Sequence, residues 1–267
     1  MNHKFKLFFL LVVLTTALPS ACQQNASDER PTPEAARNDL TLRGYKFDES
    51  SFFEAIKQGD VRAVNGFLAA GMSPDTRSSG GGESVLTAAV SKGDAKIVKA
   101  LLDGKADPNL TNKVGETPLT LATAALKVDL IDLLLNAKAD VNVPGKDDQT
   151  PLYIAVNANR ADIATKFLER GADVNKIEKG GESPLIASAV NGDLNTLEEL
   201  IKRGANVNQQ SKTGGTALLY AASEGYPEIA AALLKADAKK DLKDAKGNTA
   251  LDWAKKNKKT EVINILK

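Results

Sequence analysis

Histidine and cysteine are almost missing from this chain of 267 residues, which holds one of each, His3 and Cys22. That scarcity leaves no material for a His-based proton relay or a Cys/His metal set. Aromatic residues make up only 5% of the chain, with a single tryptophan, a composition that suits helices packed through Ala and Leu. Charge of one sign is lacking too: 35 basic residues stand against 34 acidic ones, a net charge of +1. Nucleic-acid binders leave a strongly basic footprint, so none is expected as a partner. Carboxylate pairs such as Asp147 with Asp148 fall in an exposed link, where no desolvation raises a pKa for acid–base work. Catalysis therefore has little to stand on, and the composition calls for no cofactor, no metal and no small-molecule substrate.

The amino terminus has its own character. Lys4 and Lys6 precede a twelve-residue apolar stretch, Leu7–Leu18, followed by Pro19, Ser20 and Ala21. Spanning a bilayer takes about 20 residues, so Met1–Ala21 reads as an export signal rather than an anchor. Leu18-Pro19-Ser20-Ala21-Cys22 resembles a bacterial lipoprotein signal, which implies that Cys22 becomes the acylated first residue of the mature chain. Pro19 stands where that family usually has leucine, and ordinary cleavage, leaving or removing a free thiol, is the other reading. Gln23 is not the aspartate that retains some lipoproteins in the inner membrane, so the resemblance implies the outer membrane or its periplasmic side. Removal of the signal takes away His3 and two lysines, leaving 33 basic and 34 acidic residues.

Residues 22–49 read as a polar tether and amino-terminal cap. Gln23 to about Arg43, with Pro31 and Pro33 and few large apolar residues, is expected to be a partly extended, mobile tether. Tyr45 and Phe47 suit a cover over the first structural unit, whereas Leu40 and Leu42 fit a cover and a free tail equally well.

The stretch Thr150–Asn175 shows what the rest is built from. Thr150 has a side-chain oxygen that caps a helix, and Pro151 sits at the first helical position, where its missing N–H is harmless. Leu152, Ala155 and Val156 recur at helical spacing, Asn159 suits a left-handed reversal, and Ile163, Phe167 and Leu168 line a second helix stopped by Gly171. Copies start at Ser84, Thr117, Ser183, Thr216 and Thr249 with a 33-residue period, and a first copy at Ser50 is one residue out of step. Two helices of about ten residues are too short to persist alone in water, so every unit needs neighbours.

Thr117-Pro118-Leu119, Thr150-Pro151-Leu152 and Ser183-Pro184-Leu185 open three units; Ala139-Asp140-Val141-Asn142, Ala172-Asp173-Val174-Asn175 and Ala205-Asn206-Val207-Asn208 close three. With the 33-residue helix pair, these motifs resemble the ankyrin repeat. The resemblance covers Ser50–Lys267 and implies an all-α solenoid of seven helix-turn-helix repeats joined by hairpin-like links, starting near 50, 84, 117, 150, 183, 216 and 249. The histidine that usually follows the opening tripeptide and braces adjacent loops is replaced by Thr120, Tyr153, Ile186 and Leu219, a departure that bears on stability rather than on fold. Gly93, Gly192 and Gly225 mark helix reversals; Leu126 holds that place in the third unit, where a left-handed residue is strained by about 1–2 kcal/mol and the repeat is expected to bend differently. Gly80-Gly81-Gly82 lacks the Lys-Ser or Lys-Thr of a phosphate loop and reads as an extended finger.

Stacked repeats make a concave recognition surface. The resemblance implies that its partner-facing places are Lys113, Val114 and Glu116 in the third unit and Lys146, Asp147, Gln149 and Asn157 in the fourth. Lys179, Glu182 and Asn191 follow in the fifth, and Lys212, Thr213, Ser223 and Glu224 in the sixth. The lysines recur every 33 residues as a ladder that serves solubility or an acidic partner. The run Lys255, Lys256, Lys258 and Lys259 suits a solvated terminal cap or contact with anionic lipid. The expected function is a non-catalytic protein-binding module at the bacterial envelope; an inhibitor or immunity-type factor acting on one enzyme or toxin is the alternative, and self-association a third.

Overall fold

A computed structural model describes residues 31–80 and 82–267; the expected export signal, Cys22, the start of the expected tether and Gly81 lie outside the described residues. Among the described residues the chain forms fifteen α-helices and no strand, with one isolated bridge between Arg77 and Ser84. Helix α1 (Pro33–Leu42) precedes seven pairs: α2 (Glu49–Gln58) with α3 (Val61–Ala69), α4 (Val85–Lys92) with α5 (Ala95–Asp103), and α6 (Pro118–Ala124) with α7 (Val128–Asn136). The series continues with α8 (Pro151–Asn157) and α9 (Ala161–Glu169), α10 (Pro184–Asn191) and α11 (Leu194–Lys202), α12 (Ala217–Glu224) and α13 (Pro227–Lys235), and α14 (Ala250–Lys256) and α15 (Thr260–Leu266). Even-numbered helices pack successively as an inner layer; odd-numbered helices form the outer layer.

Each inner helix starts on a hydroxyl or carboxylate. Asp48, Ser84, Thr117, Thr150, Ser183, Thr216 and Thr249 all accept a hydrogen bond from the main-chain N–H three residues on, satisfying a donor that the helix leaves unpaired. The first unit differs from expectation here: Asp48, not Ser50, is the cap, and α2 begins at Glu49. Between the layers runs a column of small residues, Ala89, Ala122, Ala155, Ser188, Ala221 and Ala254, all fully buried. Any larger side chain there would hold the inner helices apart. Leu101, Leu134, Phe167, Leu200, Leu233 and Leu266 fill the matching column from the outer layer.

The helix reversals all use a left-handed residue. Gly59, Gly93, Gly192 and Gly225 meet the requirement without strain, while Leu126 (φ 54°), Asn159 (φ 54°) and Lys258 (φ 57°) meet it with a side chain. The third repeat does not bend away. Leu126 N–H donates to the Thr123 carbonyl (2.9 Å) and Lys127 N–H to that of Ala122 (3.0 Å), the same pair of bonds that closes the second repeat at Gly93 and Asp94. Neighbouring turns over-determine the strained conformation, so the backbone absorbs the cost without deviating.

Register between repeats is set by the last Asx of each closing motif. The side-chain oxygens of Asp75, Asn109, Asn142, Asn175 and Asn208 accept from the main-chain N–H of Asp107, Asp140, Asp173, Asn206 and Lys239 at 2.7–2.9 Å. Asn142, Asn175 and Asn208 also donate their amides to the carbonyls of Gly171, Gly204 and Asp237. One side chain thus clamps the next repeat at two points.

The amino-terminal end departs from the expected extended tether. Thr32 caps α1 and Pro33 starts it, and Leu40 is buried against α3, where Gly66 lets it approach. Leu42 is 88% exposed. Helix α1 therefore covers the outer layer as a lone half-repeat. Tyr45 and Phe47 do form a cover, with ring centroids 6.0 and 6.2 Å from Phe67, which itself stacks on Phe52 at 5.0 Å. In the first unit Phe52, Ala55 and Phe67 are fully buried and Leu68 only half so.

Two outcomes test this account by chemical denaturation. Asn175→Ala removes both points of one clamp and is expected to cost about 1–2 kcal/mol. Leu126→Gly relieves the left-handed strain and, net of the added freedom of the unfolded chain, is expected to stabilise by about 0.5–1 kcal/mol.

Candidate partner-binding surface

The links project from the inner layer as a row of hairpin-like fingers. In each, the residue before the tip and the residue after it pair through the main chain: Asn112 with Glu116, Gly145 with Gln149, Glu178 with Glu182, Ser211 with Gly215 and Asp244 with Asn248. The fourth finger turns differently, because Asp147 and Asp148 stand in the left-handed region (φ 56° and 61°). Its neighbours use glycine at the second of those places.

Fingers four to seven are also joined to one another. Lys179 N–H donates to the Asp147 carbonyl (2.8 Å), Lys212 N–H to Gly180 (2.9 Å) and Ala245 N–H to Thr213 (2.8 Å). Gly181 and Gly214 permit this approach: a β-carbon on either would lie 2.8–2.9 Å from main-chain atoms of the next finger. Sequence reasoning missed this zipper. Its only trace was the pair of glycines at Gly180-Gly181 and Gly214-Gly215, which a turn alone already explains. The consequence is a continuous ledge in which one main-chain bond joins each of these fingers to the next.

The residues expected to face a partner divide by what they touch. Lys113, Val114, Lys146, Asp147, Asn157, Lys179, Lys212, Thr213 and Glu224 have exposed side chains, and Val114 is 58% accessible. Lys179 faces Asp147 across two fingers at 3.6 Å, so the ladder is partly neutralised from within. The stem of Lys113 lies over Gly82 in the second link. Gln149 is half-buried.

Glu116, Glu182, Asn191 and Ser223 are occupied in holding the fold. Glu116 binds the Asn112 amide (2.9 Å), and Glu182 accepts from the Tyr153 hydroxyl (2.9 Å). Asn191 donates to the Val156 carbonyl (2.8 Å), and Asn257 reaches both the carbonyl and the hydroxyl of Ser223. Tyr153 thus does what the absent histidine does in related repeats: it ties its own helix to the next finger. Burial first, and then the Glu182 carboxylate, push its phenol above the ordinary range, keeping it a donor. Thr120 takes another course and completes a capping box with Thr117.

Two hollows flank the ledge and the opposite face. A groove of about 590 Å³ lies on the outer side between α1, α3 and α5, with Leu68, Ala69 and Met72 in its wall and Pro31, the first described residue, at its edge. Its charged rim is partly paired internally, with Arg43 held by Asp39 (2.7 Å) and near Asp60 (3.8 Å). A smaller notch of about 270 Å³ opens on the trough between fingers six and seven, between Tyr220 and Trp253. Trp253 donates its indole N–H to Asp244 (2.8 Å), and Lys256 places its ammonium 4.4 Å from the ring centroid. The Asp244 carboxyl is held down at about 2, first by the Asn248 main-chain N–H, then by the Trp253 indole, the Asn248 amide and the Lys246 N–H, with desolvation opposing.

Among the described residues no group of three or more His, Cys, Asp or Glu side chains is placed to hold a metal ion, and no helix is long and apolar enough to cross a membrane. Every buried side-chain nitrogen or oxygen among them has a hydrogen-bond partner.

Comparison with known proteins agrees with this architecture. A family model described as ankyrin repeats (3 copies) matches residues 52–144, 86–178, 127–211 and 185–267, and the chain belongs to the ankyrin-repeat family. No curated protein sequence matches it significantly. Solved structures match in 592 chains. Among them, the crystal structure of the ankyrin repeat domain of Bcl-3, described as a unique member of the IkappaB protein family, is 29% identical with a TM-score of 0.67, covering 80% of this chain and 96% of that one. Ankyrin repeats bind other proteins, and the fold is generally a non-catalytic interaction scaffold.

The seventh finger carries a pH signature. Because the folded pKa of Asp244 lies below its ordinary 3.8, its stabilising effect is whole above that pH and is lost as pH falls through about 2. The denaturation midpoint of Asp244→Asn is therefore expected below that of the unaltered chain at neutral pH, with the gap closing in acid titration towards 2.

Proposed function

We propose that this protein is an interaction module of the bacterial envelope, carried there by acylation of Cys22, which holds or shields another exported protein in its trough. The observation that carries the reading is the joined row of fingers: one main-chain bond ties each of fingers four to seven to the next, which holds the exposed Lys146, Lys179 and Lys212 in a fixed row, Lys179 facing Asp147. The lipoprotein-like order Leu18–Cys22 supports the location, and a mature chain without histidine supports binding over reaction. Nothing in the composition favours nucleic acid.

Crosslinking in the native envelope followed by mass spectrometry tests the partner. An abundant exported protein as the main product is the expected result. A single enzyme or toxin whose activity falls on binding would make the protein an inhibitor instead. Cys22→Ser is expected to move the chain from the membrane fraction to the soluble one without loss of helicity. Changing Lys146, Lys179 and Lys212 together to Glu should leave the circular dichroism spectrum unaltered; partner yield that also stays unaltered would remove the ladder from the docking site.

A further inference from the structure

The notch between the sixth and seventh fingers combines features found nowhere else along the described trough. Trp253, the one tryptophan of the chain, and Tyr220 are both half-buried and stand on either side of it. Tyr220 owes its place to Gly215, where a β-carbon would fall 2.7 Å from the ring. At about 270 Å³ the notch is smaller than the roughly 300–1,000 Å³ of small-molecule sites and fits a single large side chain. Aromatic-walled hollows of this kind are where protein interfaces concentrate their binding energy.

Charge is polarised towards the same end. Residues 235–267 contain ten lysines and five acidic residues, whereas residues 31–234 contain 22 basic and 27 acidic ones. Lys246 lines the notch, Lys256 lies over the Trp253 ring, and the exposed Lys212 precedes Thr213, a residue of the notch wall on the sixth finger. The single carboxylate in the wall, Asp244, is spent on Trp253, Asn248 and Lys246. A flat anionic bilayer has no group to fill a recess between two fingers, and a basic segment would be repelled by the rim.

Resting on the reading of the trough as a protein-binding surface, we infer that this notch anchors an acidic partner segment: one large apolar side chain enters between Tyr220 and Trp253 while neighbouring carboxylates meet Lys212, Lys246 and Lys256. The partner class is thus an acidic peptide with an embedded aromatic or leucine, approaching along the sixth and seventh fingers.

Trp253 reports on its own site, because no other tryptophan contributes emission. The probe is a synthetic acidic octapeptide with a central Leu-Phe pair, titrated into the full chain while tryptophan emission is followed. A saturable change is expected, weakened roughly tenfold or more both by replacing Leu-Phe with Gly-Gly in the peptide and by Lys246→Glu with Lys256→Glu in the protein. Those lysine changes lie on the surface, and an unchanged circular dichroism spectrum verifies folding; Tyr220→Ala, checked the same way, is expected to abolish the emission change. Equal binding of the Gly-Gly peptide, no saturable change up to millimolar probe, or a response to phosphatidylglycerol vesicles but not to the peptide would overturn the inference. Capture of the envelope partner separates the two readings. Capture that survives all three substitutions sinks the notch and leaves the trough standing, while absence of any captured protein sinks the trough itself.

Discussion

No repeat in this protein can bury its own apolar face. Its helices run to seven to ten residues, below the roughly 12–15 at which isolated helices become even marginal in water, so each is stable only while its neighbours cover it. That dependence explains the two ends. At one end α1 stands in for the outer helix of a missing repeat and Tyr45 and Phe47 close over Phe67; at the other, α14 and α15 turn a lysine-rich surface to water. It also explains the column of small residues, five alanines and Ser188, since the inner layer closes only if successive repeats offer a small side chain at the same height.

Mutual cover does not by itself fix how far one repeat slides on the next. The Asx clamps do that near the closing motifs, and the finger zipper does it at the opposite edge from the fourth unit onward. Between them each later repeat is held at two separated points, which makes the trough a firm surface. Firmness matters for binding because side chains already in place lose less freedom on contact. The polarisation of charge then gives the trough a direction, with its aromatic notch at the basic end.

Much of the candidate surface was legible in the sequence, because family position predicts which side chains point outward: Lys113, Val114, Lys146, Lys179 and Lys212 do. What was not legible was how these places are used. Glu182 and Asn191 occupy partner-facing positions yet are engaged by Tyr153 and by the carbonyl of Val156, and such pairings depend on groups 29 and 35 residues away. The tether offered the same difficulty. Thr32-Pro33 is a helix start like those of the repeats, but without a full repeat after it the apolar spacing of Ala36 and Leu40 was too sparse to separate a helix from an extended segment.

The period, the caps of the second to seventh units and the positions of the reversals were determined by the sequence alone, because each is a local rule repeated along the chain; the first cap, Asp48, falls two residues before the expected start. Tertiary structure alone decided which polar groups are spent on the scaffold and which remain for a partner. It also set the notch between Tyr220 and Trp253, since a recess formed by two fingers and two helices exists only once separate repeats have been brought against each other. The physical reason is the range of the forces involved: helix signals act over three or four residues, whereas hydrogen bonds between repeats obey distances that the order of residues does not record.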